Sequence, residues 1–181
     1  MTTAETLGQG KSAFFVSANA LFVKDYTTLS NSFAQYIYGV NNRVDLYLGP
    51  GVVTAFGQKQ AYFSAGANLN LVKSRVASLS SFNLLSTACH RRADASRVLW
   101  LSALIVSHNF RLGKLPASGY GGYSVLVPSG PNKEEKLFTP PQTFHNMPLG
   151  LSVTLKKLTW FVEYNYGKRQ RTIGLGLALG L

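Results

Sequence analysis

The residues that could do chemistry are few and bunched. In HRRADASR, His90 to Arg97, three arginines (Arg91, Arg92 and Arg97) surround Asp94, and GKRQR, Gly167 to Arg171, adds Lys168, Arg169 and Arg171. Guanidinium groups at that density grip phosphate oxygens bidentately, so both runs are candidate anion sites, with a solvated basic loop as the plainer alternative. His90, Asp94 and Ser96 are also the residue types of a nucleophilic hydrolase. Their spacing, however, ties no nucleophile to a base and an orienting group, and no enzyme is expected. His108 and His145 stand far from His90 and from each other, and the single Cys89 has no partner for a disulfide, so neither a metal site nor another cofactor is expected.

GQGKS, Gly8 to Ser12, invites a nucleotide-binding reading. The phosphate-cradling loop needs a second glycine five positions before Gly10, where Glu5 stands, and a helix after it. Neither is present. Two acids, Asp45 and Glu163, remain as isolated carboxylates inside otherwise uncharged runs. Such a carboxylate either sets the ionic preference of a cavity or pairs with an arginine to hold a structure together, and Arg43, two residues from Asp45, is the nearest available partner.

These residues must be positioned by an unusual chain. Charged residues make up 14% of its 181 residues, against about 25% in ordinary globular domains. The apolar fraction is ordinary, so something other than charge covers the surface. A net charge of +11 and a pI near 10.0 raise nucleic acid and anionic membranes as partners. No apolar run is long enough for a transmembrane helix. MTTAETLGQGK lacks the apolar stretch of an export signal, so residues 1–10 are read as the start of a mature chain and 11–181 as one domain.

The organising signal is alternation with a period of two. In TIGLGLALGL, Ile173, Leu175, Leu177, Leu179 and Leu181 share one face, and Gly174, Gly176, Ala178 and Gly180 the other. QAYFSAGANLNLV sets Ala61, Phe63, Ala65, Ala67, Leu69 and Leu71 against Tyr62, Ser64, Gly66, Asn68 and Asn70. RVDLYLG sets Val44, Leu46 and Leu48 against Asp45 and Tyr47, while LTWFVEYNY sets Trp160, Val162, Tyr164 and Tyr166 against Phe161, Glu163 and Asn165. SAFFVSANALFV repeats the scheme with Phe14, Val16 and Phe22 against Ser17 and Asn19. With weaker runs added, ten strands are predicted, near 12–23, 31–40, 43–55, 60–72, 77–88, 97–111, 115–128, 144–155, 158–166 and 171–181. Most match the 9–11 residues of a tilted membrane-crossing strand. The run over 97–111 is apolar on both faces and leaves Trp100 and His108 unassigned.

Connections sort into two kinds. The joint Val40-Asn41-Asn42-Arg43 predicts a tight hairpin in which the Asn pair takes positive φ angles. VKSRV, RLGK and LKKL are equally short, while KDYTTLS, CHRRADAS and PSGPNKEEKLFTPPQT are longer; GKRQR and the brief FGQK join them. An even strand count puts the short turns and both termini on one end. Alternation alone cannot orient the faces, but a soluble barrel covers its outside with Lys, Glu, Asp and Arg. Here the non-aliphatic face carries Gly, Ala, Ser, Thr, Asn and Tyr, which suits a crowded polar lumen, and closure satisfies every backbone group in lipid. Aromatics such as Tyr36, Tyr38, Trp160, Tyr164 and Tyr166 fall near strand ends, where interfacial girdles sit.

On these patterns, and on the hairpin YGVNNRVDLYLG in particular, the chain resembles a small bacterial outer-membrane β-barrel of the porin-like or transport kind. The resemblance implies a closed antiparallel up-and-down all-β barrel of ten strands, monomeric, in the bacterial outer membrane. Its lumen would be lined by Asp45, Tyr47, Tyr62, Asn68, Asn70, Glu163 and Asn165, with room left by small inward residues. The leading expectation is a narrow channel or passive transporter for small solutes or ions. A non-conducting barrel whose basic loops bind lipopolysaccharide through Arg91, Arg92, Arg97, Lys168, Arg169 and Arg171 is the alternative, followed by a soluble ligand-binding barrel with its apolar face inward. Basic residues at both ends of the barrel argue against nucleic acid.

Overall fold

The computed structural model describes residues 6–23, 29–55, 58–74, 76–88, 97–129, 143–168 and 170–181. Ten strands follow in chain order: β1 (Ser12–Val23), β2 (Leu29–Gly39), β3 (Val44–Ala55), β4 (Gln58–Lys73), β5 (Ala77–Ala88), β6 (Arg97–Leu112), β7 (Leu115–Ser129), β8 (Phe144–Leu155), β9 (Leu158–Gly167) and β10 (Gln170–Gly180). These are the strands the alternation predicts. Each pairs antiparallel with its sequence neighbours, and β1 pairs with β10, so the sheet closes on itself. Closure leaves no strand edge unpaired.

The short connections β2–β3, β4–β5, β6–β7 and β8–β9 share one end of the barrel with Ser12 and Gly180. Their turn chemistry differs from the expected one at one point. Asn41 and Asn42 do not take positive φ; among the described non-glycine residues only Lys156, in the β8–β9 turn, does so, at 56°. In the β2–β3 turn the Asn41 side chain does the work, its Oδ1 accepting from the Arg43 N–H at 2.7 Å. That is the Asx device by which an asparagine holds a turn without taking a positive φ. Ser74 closes the β4–β5 turn in the same spirit, accepting from the Ala77 N–H at 2.9 Å.

The strand faces follow the alternation. On β6, where the sequence leaves the faces unassigned, Ala103 and Ile105 point inward and are buried, while Trp100, Leu104, Val106 and His108 point outward. The buried apolar cluster lies inside the barrel. Ala13, Phe15, Ile37, Tyr47, Phe82, Ala103, Ile105 and Tyr120 form it, with Phe33, Leu84, Leu101 and Phe161 packed against them. The polar, roomy lumen that the small inward residues suggest is therefore only half of the interior.

The barrel interior as candidate functional site

Each predicted lining residue belongs to the inner face. Asp45, Asn68 and Asn70 are at most 1% exposed, Tyr47 is buried, and Tyr62, Glu163 and Asn165 are partly buried. Glu163 is hydrogen-bonded by neutral groups. The Tyr120 hydroxyl donates to Glu163 Oε2 at 2.8 Å, and Asn165 Nδ2 donates to Glu163 Oε1 at 2.7 Å. Across the barrel the Tyr62 hydroxyl donates to Asn31 Oδ1 at 2.7 Å. On β5 and β6, the hydroxyls of Ser78, Ser80 and Ser107 are buried and meet no hydrogen-bond partner among the described residues.

Asp45 is held in an unexpected way. The Leu7 N–H donates to both its carboxylate oxygens, at 3.0 and 3.2 Å, because residues Thr6 to Lys11 fold as a strap over the β2–β3 side of the short-turn mouth. Thr6 Oγ1 donates to the Asn42 carbonyl at 2.8 Å, the Gly10 N–H donates to the Gly39 carbonyl at 2.8 Å, and the Gly39 N–H returns a bond to the Lys11 carbonyl at 2.9 Å. Leu7 packs against the interior cluster. Arg43, the expected partner of Asp45, is exposed on the turn outside the mouth, and the two make no ion pair. GQGKS is thereby explained: Gly8 and Gly10 take φ of 96° and 73° so that the strap can turn from the mouth into β1, with Lys11 N–H bonded to the Gly8 carbonyl at 3.2 Å.

Above the strap, aromatic rings pack against one another inside the barrel, with Phe15, Tyr47 and Phe161 each three residues from the short-turn end of its strand. The Phe15 ring lies 5.6 Å from Phe33 and 5.7 Å, edge on, from Phe161, while Tyr47 meets Phe82 at 5.2 Å. Space for these rings comes from the glycines opposite. A Cβ at Gly176 would stand 2.7 Å from Phe15 Cε2, and one at Gly51 or Gly150 would overlap the ring of Tyr62 or Tyr120. The small Gly176 on β10 thus accommodates the large Phe15 on β1.

The other predicted site residues fall elsewhere. Arg91, Arg92 and Arg169 lie outside the described residues, as do Cys89, His90, Asp94 and Ser96; Arg97 opens β6, but its side chain is also outside the description. Lys168 and Arg171 are exposed at the end opposite the short turns. His108 and His145 point outward, remote from the inner-wall acids, and no group of metal-ligating side chains occurs among the described residues.

The outer wall is a continuous apolar surface. Leu46, Leu48, Phe63, Leu69, Leu85, Leu104, Leu149, Leu151, Val162, Ile173 and Leu175 all stand on it, each more than 40% exposed. In water such a belt around a whole protein would drive aggregation; in hydrocarbon it is the required surface, and the closed hydrogen-bond ladder is the required backbone. The chain is a membrane-embedded β-barrel. The soluble barrel with its apolar face inward is excluded, because the faces are the other way round. No family model and no curated protein matches this chain. Among solved structures, the β domain of the Bordetella autotransporter BrkA aligns with a TM-score of 0.51 and 11% identity over 96% of this chain and 100% of that one. The translocator domain of autotransporter NalP from Neisseria meningitidis aligns at 0.50 and 12%, over 96% and 88%. An outer membrane channel from Pseudomonas putida F1 aligns at 0.47 and 11%, over 98% of both. The barrel has the fold of bacterial outer-membrane proteins.

Embedding predicts a polarity cost that depends on depth. Leu175, 63% exposed in the middle of β10, is expected to lose about 2–4 kcal/mol of folding stability on replacement by lysine. Thr172→Lys, on the inner face near the strand end, should cost less. Urea unfolding in lipid vesicles checks both, and equal costs would contradict the orientation.

Sequence reasoning misses the strap and the aromatic layer. Phe15 and Phe161 do carry a signal, since they sit at inward positions of their alternating runs. Their joint effect depends on which strands meet, which no single run contains.

Proposed function

We propose that this protein is a bacterial outer-membrane barrel forming a narrow, porin-like channel for small cations and small polar solutes, held shut by the strap and the aromatic layer. One observation carries the reading. Asp45 and Glu163, the described carboxylates of the inner wall, are met by neutral donors and make no ion pair with a described cation. Lys73 acts on Asp45 electrostatically without forming an ion pair, and a barrel filled only for stability gains little from carboxylates that lack one, because such a charge in a low-dielectric interior is costly. A hydrated path supports them, and it equally supports the unpartnered hydroxyls of Ser78, Ser80 and Ser107. The sign of the wall favours cations.

Single-channel current across a planar bilayer tests this. Discrete steps scaling with salt, and a reversal potential in a KCl gradient favouring K⁺ over Cl⁻, are expected. Removing one wall charge by Glu163→Gln removes about 1 kcal/mol of attraction at 4 Å in water, so the cation-to-anion permeability ratio should fall about fivefold. The packed rings of Phe15, Phe33 and Phe161 favour a second reading, a non-conducting barrel that acts through its surface. Silence in the wild type and in variants that remove the strap contact or a ring would select it.

A further inference from the structure

The outer wall carries a built polar feature where an all-apolar one would suffice. Arg171 on β10, Tyr166 on β9, Met147 on β8 and Tyr123 on β7 form one outward row: Arg171 is the cross-strand partner of Tyr166, Tyr166 of Met147, and Met147 continues the register that sets Asn146 opposite Ser124. All four are exposed. The Arg171 guanidinium lies over the Tyr166 ring at 5.5 Å from its centroid. At the other end of the row, the Tyr123 hydroxyl is hydrogen-bonded to Nδ1 of His145. Lys168 is exposed in the β9–β10 connection beside Arg171.

Height places the row at a membrane surface. Tyr166, Met147 and Tyr123 are each eight residues along their strands from the short-turn ends Leu158, Leu155 and Leu115, and Arg171 is nine from Gly180. With a rise near 3.3 Å and a tilt of 35–45°, that is about 20 Å above the short-turn end, close to the far edge of an apolar band about 25 Å tall. Below the row on β8 to β10 comes one more phenol, Tyr164 between Leu149 and Ile173, and then Leu151, Val162, Trp160, Leu175 and similar side chains.

We propose that this row is a binding site for the phosphate of an anionic membrane lipid headgroup. The contact with Tyr166 holds the guanidinium at the rim of the wall, and its N–H groups, which no described residue accepts, are left to bind a phosphate there. Lys168 supplies a second cation. When the Tyr123 phenol donates to His145 Nδ1, the ring carries its proton on Nε2 and can donate to a second headgroup oxygen, two strands or about 10 Å across the wall from Arg171. The apolar columns beneath receive the acyl chains. A membrane lipid is the occupant because the row faces hydrocarbon on one side and headgroups on the other, where a soluble anion has no reason to be held. The inference is independent of whether the lumen conducts.

The test uses the full chain in nanodiscs of dioleoylphosphatidylcholine doped with dioleoylphosphatidic acid, with retained lipid counted by native mass spectrometry after release into detergent. The wild type is expected to retain phosphatidic acid at least tenfold over phosphatidylcholine. Arg171→Gln with Lys168→Gln should cut that preference at least fivefold, and His145→Phe by a smaller factor. Lys156→Gln with Lys157→Gln, the same charge change at the opposite end, should leave it intact. Circular dichroism of each variant confirms the fold, and Arg171→Lys, which keeps the charge but loses the planar fork, should retain part of the preference. Equal retention of the two lipids, equal loss from both double variants, or displacement by millimolar inorganic phosphate as effective as that by phosphatidic acid would overturn the proposal.

Discussion

Asp45→Ala opens the short-turn mouth. The Leu7 N–H loses the charged acceptor that binds it at 3.0 and 3.2 Å, and a hydrogen bond to a charged group contributes about 1.5–3 kcal/mol. Every 1.4 kcal/mol is tenfold in an equilibrium, so the released fraction of the strap should rise about 10- to 100-fold. Amide hydrogen exchange reads this at Leu7 and Gly10, whose N–H groups are the strap's own donors, and bilayer recordings read it as longer or more frequent openings. Asp45→Asn keeps an oxygen acceptor while removing the charge, and should fall between wild type and Asp45→Ala in exchange. If the alanine variant leaves exchange at Leu7 unchanged, the carboxylate does not hold the strap. If exchange rises and no current appears, the strap is real but the block lies higher, in the aromatic layer.

Phe15→Ala produces the second large effect. Phe15 is 2% exposed and bridges Phe33 and Phe161, so truncation removes two ring contacts and leaves a space beside Gly176 that nothing else fills. Loss of a buried phenylalanine costs about 3–5 kcal/mol, and urea unfolding in vesicles should show it. The same truncation removes a ring from the packed aromatic cluster inside the barrel. The expected variant is therefore less stable yet more conductive, a combination that a purely structural ring would not produce. A Gly176→Ala variant examines the other side of the contact: its Cβ would crowd Phe15 at 2.7 Å, and destabilisation without added conductance is expected.

Much of this barrel was legible in the one-dimensional pattern, for a local reason. A strand turns successive side chains to opposite faces, so the order of residues in TIGLGLALGL alone decides that Leu175 and Gly176 part company, and the same holds for Glu163 against Val162. Strand count, strand ends and the side of each short turn follow from where alternation stops. The uncharged opposite face then decides that the aliphatic side meets lipid. Over 97–111 the pattern is apolar on both sides, and there the tertiary structure alone assigns Trp100 and His108 to the outside.

What the pattern could not decide is which inward residue meets which. Asp45 and Arg43 share a face two residues apart and look like an ion pair, but the turn carries Arg43 out of the mouth while the strap brings in Leu7 from 38 residues earlier in the chain. Phe15 meets Phe33 and Phe161 only because β1 closes against β10, which sets Ser17 opposite Gly176 and lets β2 and β9 deliver the two rings to the same level. The outward row from Arg171 to Tyr123 is equally a product of four registers. Sequence by itself determined the elements, their faces and the solvent they require, because those are properties of consecutive residues. Tertiary structure decided closure, stagger and the docking of the strap, because each is a relation between segments far apart in the chain, set by how strands slide past one another until side chains of unequal size fit.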